Sequence, residues 1–190
     1  MVDMDALNRI LGEAELIIKE RKRVVVAIDG KSGTGKSHLA RLIEACAGVS
    51  TIHMDDFFLP KEKRTAERYA TAGGNVDSER FLTEVINPLR SKIPFSYRPF
   101  DCSLMALSDR IVEVDKPFIL VEGVYSLHPL FRDAYDLGYV LSASYDARIA
   151  RIKARSGEKK LETFTSLWMP LEDRYFEAFD FSMYPMVENG

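Results

Sequence analysis

The chain is poor in cysteine and histidine, is nearly balanced in charge and has no long apolar run. Cys46 and Cys102 are the two cysteines in 190 residues, too few for a disulfide framework. They read as reduced thiols, which fits an intracellular protein. His38, His53 and His128 are the three histidines, and none stands with a cysteine at zinc-ligand spacing. No stretch approaches the roughly 20 apolar residues of a bilayer-spanning helix. The start, Met1-Val2-Asp3-Met4-Asp5, has acids where a secretory signal has a basic segment, so a soluble, cytoplasmic protein without a membrane partner is expected. A formal charge of −3 gives no general pull toward nucleic acid. Internal repeats, low-complexity tracts and linkers are also missing.

What is present is ordinary globular material: 46% hydrophobic and 29% charged residues. A chain of this length buries roughly 70% of its unfolded surface, so one domain over 1–190 is expected. Leu7, Ile10, Leu11, Ala14, Ile17 and Ile18 recur at helical spacing and predict a helix from 4 to about 20. Val24-Val25-Val26-Ala27-Ile28 is β-branched without polar alternation, the pattern of a strand buried on both faces. A helix from Lys36 to Ala47 and a strand from Ser50 to Met54 follow. Residues 60–78 are polar and read as a mobile or partly helical excursion. Arg80 to Leu89 is helical, with Pro88 expected to bend or end it. Phe118 to Val121 is a second buried strand, and Tyr139 to Ala143 a weaker one. Asp146 to Arg155 is a basic helix, and Phe164 to Phe179 a last helix interrupted at Pro170. Alternating strands and helices predict an α/β fold with a parallel sheet.

Gly30-Lys31-Ser32-Gly33-Thr34-Gly35-Lys36-Ser37 matches the phosphate-binding pattern G-x-x-x-x-G-K-[ST] at every fixed position. It lies directly after a buried strand and before a helix. Gly30, Ser32, Gly33, Thr34 and Gly35 let backbone N–H groups point at phosphate, and the helix N-terminus adds partial positive charge. Lys36 can reach the β- and γ-phosphates, and the Ser37 hydroxyl can ligate magnesium. His38, the next residue, borders the nucleotide segment, although a helix-surface role is its plainer reading.

Three further features bear on what happens to the phosphate. Asp55 and Asp56 follow the second strand, on the sheet edge where α/β proteins bind ligands. One of these carboxylates can accept a proton from an attacking hydroxyl or help hold magnesium. Glu122 ends the apolar strand Phe118-Ile119-Leu120-Val121, the form of a magnesium-side acid. Arg148, Arg151 and Arg155 share one helical face. They form either a comb over phosphate oxygens or a solvated basic face. Residues 146–160 hold six Lys/Arg against two acids, whereas 161–190 hold one Arg against six acids. His53 and His128 read as packing or loop residues. Phe57 and Phe58 either pave an acceptor site or are buried.

Taken together, the P-loop, Asp55-Asp56-Phe57-Phe58, Gly74-Asn75-Val76-Asp77, Tyr97-Arg98-Pro99-Phe100-Asp101, Val121-Glu122-Gly123 and the arginine helix resemble the uridine kinase-like P-loop metabolite kinases. That group includes uridine/cytidine, nicotinamide riboside, phosphoribulose and pantothenate kinases. The resemblance spans about Val24 to Phe179. It implies a three-layer sandwich on a parallel sheet of about five strands, with a small helical lid near 146–160. It also implies magnesium-dependent transfer from ATP or GTP to a hydroxyl of a small acceptor, a nucleoside first. By resemblance Asp55 is the catalytic aspartate, Glu122 the acid on the magnesium side, and Asp77 and Tyr97 acceptor residues. Arg148 and Arg151 are lid arginines near the transferred phosphate.

After Tyr97 the chain departs from the pyrimidine-kinase pattern, since Arg98-Pro99-Phe100-Asp101-Cys102 contains no histidine. Arg98 there is read either as a contact for an anionic acceptor or as an exposed loop arginine. After Tyr184 no further strand is expected. Nicotinamide riboside, pantothenate and sugar phosphates remain alternative acceptors, and a homo-oligomer remains open. A nucleotide-dependent switch is the competing class. Its guanine-reading form is disfavoured because no Asn-Lys-x-Asp occurs, and an oligonucleotide-handling ATPase is disfavoured by size and charge.

Overall fold

The computed structural model describes residues 4–189. Met1, Val2 and Asp3, part of the acidic start, lie outside the described residues, as does Gly190. Val24–Asp29 (β1) is buried at every position, as its unbroken apolar run predicts. It lies in the middle of a five-stranded, wholly parallel sheet. The other strands are β2 (Val49–His53), β7 (Phe118–Glu122), β8 (Leu137–Ser142) and β9 (Met186–Glu188), in the order β2-β7-β1-β8-β9.

Alternation along β1 divides the core. Val24, Val26 and Ile28 face α1 (Met4–Arg21) and α2 (Lys36–Cys46), packing with Leu7, Ile10, Leu39 and Ile43. Val25 and Ala27 face the opposite layer, with Phe81, Val85, Ile86 and Tyr175. The three-layer α/β sandwich expected from the sequence is therefore present.

Between β2 and β7 the chain makes a 3₁₀ turn at Met54–Phe57, a short helix α3 (Ala66–Ala70), and then α4 (Ser78–Phe81). A π-helical turn, Leu82–Ile86, joins α4 directly to α5 (Asn87–Ser91). Two small antiparallel pairings follow, β3 (Phe95–Tyr97) with β6 (Val112–Val114) and β4 (Phe100–Asp101) with β5 (Ala106–Leu107). After β8 come α6 (Tyr145–Ser156), α7 (Glu158–Thr163), a second π turn at Phe164–Trp168, and α8 (Met169–Ala178).

Two expectations are corrected. Pro88 does not end its helix, and Pro170 interrupts the last helix only as a change from π to α turns. Each falls in the first turn of a helical segment that follows a π turn. Proline lacks the N–H for the usual i−4 bond, and the wider turn ahead absorbs that loss without a break. A strand does follow Tyr184, because β9 pairs parallel with β8 through Val140–Met186, Leu141–Val187 and Ser142–Glu188. Among the described residues no helix is long and apolar enough to cross a membrane.

Candidate active site

Strand register assembles the site at the C-terminal edge of the sheet. Ile28 pairs with Glu122, and Glu122 with His53, so the P-loop, the β7 acid and the end of β2 lie side by side. A cavity of about 320 Å³ opens there. Ser32, Gly33, Gly35, Lys36, Ser37 and His38 form one end of it. Asp55 and Glu122 line it too, as do the rings of Phe58, Phe164 and Trp168.

The P-loop is held by its own side chains and by its neighbours. The buried Lys36 ammonium donates to the Gly30 carbonyl at 2.6 Å and to the Lys31 carbonyl at 3.1 Å. The Thr34 hydroxyl donates to the Lys31 carbonyl at 2.9 Å. Thr34 and Gly30 thus shape the loop without lining the cavity. Asp29, fully buried, accepts from the N–H groups of Gly30, Tyr125 and Leu127 and from the Tyr175 hydroxyl. Burial pushes its carboxyl up to about 6 against those hydrogen bonds.

Two carboxylates line the cavity. Glu122 Oε1 lies 2.7 Å from His53 Nδ1, and the Ser37 hydroxyl also bonds this carboxylate. Burial pushes the Glu122 pKa up. The His53 hydrogen bond and the Lys36 charge outweigh it and hold Glu122 below the usual carboxylate value. Its partner His53 is raised, first by that same hydrogen bond. Asp55 reaches solvent in the cleft, yet its pKa is raised by the surrounding protein and then by the Glu122 charge. Lys36, His53 and Arg155 act in the opposite sense on it. A raised carboxylate is the stronger proton acceptor once ionised.

The arginine comb divides. Arg151 and Arg155 line the cavity. Arg151 donates to the carbonyls of Gly33 and Asn189, each at 3.2 Å, and the Arg155 guanidinium stands 5.8 Å from the Phe164 ring centre. Arg148 is buried away from the cavity, with Nε on the Ser32 carbonyl at 2.8 Å and a second nitrogen 3.3 Å from Glu172. Helical spacing put three arginines on one face, but Arg148 sits nearest the packed base of α6 and is consumed by the P-loop.

The acceptor residues carried by resemblance are mostly elsewhere. Asp77 caps α4 by accepting from the Arg80 N–H and pairs with Lys63 at 3.0 Å. The buried Tyr97 hydroxyl donates to Asp56 at 2.7 Å. Arg98 is spent on the Ser108 carbonyl and Asp109. None of the three lines the cavity, whereas Phe58 does. Asn75, Tyr125 and Glu172 line it without having been singled out for it. His53 could have been found by aligning β2 with β7. Glu172 sits in a mixed polar helix and carries no local signal.

This is the fold of a P-loop kinase. No family model matches the chain. A curated uridine kinase of Bacillus licheniformis is 29% identical over 174 residues, covering 83% of this chain and 82% of the relative. A second uridine kinase, from a Geobacillus strain, is 27% identical with the same coverage. A solved structure described as a possible uridine kinase from Bacillus stearothermophilus superposes with a TM-score of 0.71 at 21% identity. That superposition covers 98% of this chain and 99% of the other. The resemblance to the uridine kinase-like P-loop kinases, first drawn from motifs, is borne out.

Proposed function

We propose that this chain transfers the γ-phosphoryl group of ATP or GTP to a hydroxyl of a small acceptor, with a nucleoside as the first acceptor class. One observation carries the reading: a single cavity is lined by the P-loop, by Asp55 and Glu122, and by the rings of Phe58, Phe164 and Trp168. Phosphoryl transfer needs the attacking hydroxyl and the leaving oxygen roughly in line across the phosphorus, with the base beside the hydroxyl, and catalysis is mostly positioning and charge stabilisation. Asp55 takes the proton of the attacking hydroxyl. Lys36, Arg151 and Arg155 meet the phosphate oxygens. Phe58 and Trp168 pack against each other, 6.1 Å apart between ring centres, and offer aromatic surface at the cavity for a base. The names of the curated relatives support the nucleoside class.

The same cavity lining fits a magnesium ion. Ser37, Glu122 and Asp55 offer oxygen donors beside the phosphate end, the ligand type a small hard cation takes. Among the described residues no group of three or more His, Cys, Asp or Glu side chains forms a metal cage by itself. That suits an ion sharing its ligands with phosphate and water. Once bound, magnesium neutralises charge on the transferring group.

A coupled ADP-release screen over nucleosides, ribosides, pantothenate and sugar phosphates tests the reading, with GTP run in parallel as donor. The expected result is turnover with a nucleoside well above the hydrolysis background, dependent on magnesium. Nucleotide binding without acceleration by any acceptor overturns it.

A further inference from the structure

We infer that Glu172, on α8, is a positioning residue that latches the lid helix α6 onto the P-loop. The inference rests on the kinase reading for its catalytic consequence, not for the latch itself. Glu172 Oε2 accepts from the Ser32 N–H at 2.8 Å, and Oε1 accepts from the Ser32 hydroxyl. Arg148, from α6, donates to Glu172 and to the Ser32 carbonyl. Three residues from three separate parts of the fold thus close a ring of four hydrogen bonds. The adjacent pair repeats the pattern, with Lys31 bonded to Asp173 at 2.6 Å. α8 therefore grips two successive P-loop residues with two successive acids.

The chemistry argues for more than packing. Glu172 and Arg148 are both more than nine-tenths buried, so breaking the pair by removing one partner strands a buried charge. A buried carboxylate on an anion-binding loop also opposes the incoming phosphates. Arg148 cancels that charge, which is why it is withheld from the cavity while Arg151 and Arg155 face it. With the latch made, α6 carries Arg151 and Arg155 to fixed positions over the site. A displacement of about 1 Å in such groups lowers transfer by about 10²-fold.

The test compares wild type with Glu172→Gln, which keeps the shape and loses the charge, and with Ser32→Ala, which removes one bond of the ring. Amide hydrogen exchange without nucleotide or acceptor is the first measurement. Both variants should exchange faster across residues 145–156, Glu172→Gln by about tenfold or more. Unchanged exchange in that helix overturns the latch, whether or not the chain proves to be a kinase. Steady-state assays come second. Glu172→Gln should lower kcat by about 10²-fold, keep KM for nucleotide close to wild type, and raise nucleotide hydrolysis relative to acceptor phosphorylation. A folded variant with an unchanged transfer-to-hydrolysis ratio overturns the positioning role and leaves Glu172 as packing. If wild type phosphorylates no acceptor, the kinase reading fails, and the exchange result still decides the latch.

Discussion

Asp29 is the residue on which the site's backbone depends. Four donors converge on its two oxygens, from the P-loop, the segment after β7, and α8. Asp29→Asn puts an N–H₂ group where donors already point, which should cost about 1–3 kcal/mol. The pH dependence has a definite sign. The folded-state pKa is about 6, above the ordinary value of 3.8. Stability from this group is therefore full below the ordinary value and is lost as pH rises toward 6. Urea titrations at pH 4, 5, 6 and 7 should show wild type's advantage over Asp29→Asn shrinking across that window and flat above it. Tyr97 supplies a second check. Its hydroxyl serves Asp56 and lies outside the cavity. Tyr97→Phe should lose about 1 kcal/mol of stability and leave the acceptor KM unchanged. A raised KM in a stable variant would return Tyr97 to the acceptor site.

At the scale of elements, the P-loop and α6 are built against each other. Gly33 has φ +81°, and a Cβ there would meet the Arg148 carbonyl oxygen at 2.8 Å. Gly33→Ala combines left-handed backbone strain with that clash, so α6 must shift away from the loop. Calorimetric titration of Gly33→Ala should show nucleotide affinity reduced at least tenfold, and wild-type affinity would refute the packing argument. The elements that read clearly from sequence are those with strong local patterns. β1 and β7 are unbroken apolar runs, α1 has its stripe, and the P-loop has fixed glycines. β9 was missed because Met186–Glu188 is three residues long and is stabilised only by its distant partner β8. The β3–β6 pairing is equally short and the β4–β5 pairing shorter still. The prolines marked real irregularities, but as π turns ahead of Pro88 and Pro170 rather than as helix ends. Asp55 and Glu122 were legible at strand ends. Glu172 was not, since its function lies wholly in contacts 140 and 24 residues away along the chain.

Across the whole molecule, the near-neutral charge conceals a division that the fold puts to use. Four of the six Lys/Arg of residues 146–160 lie on α6, whose Arg151 and Arg155 line the cavity beside the P-loop, and two lie on α7. The acidic segment after it returns along α8 and supplies Glu172 and Asp173 to that same loop. Arginines that line the cavity and acids that bond the P-loop come from consecutive parts of one sequence, and Asp55 and Glu122 line the same cavity. The central claim is that Asp55 activates an acceptor hydroxyl toward a P-loop-bound nucleotide. Its most direct measurement follows label from the γ-phosphate of ATP into a nucleoside, with wild type and Asp55→Ala at equal nucleotide occupancy. Wild type should give labelled nucleoside monophosphate. Asp55→Ala should bind nucleotide normally and form product about 10²- to 10⁴-fold more slowly. Equal rates of labelled product from the two proteins would contradict the account.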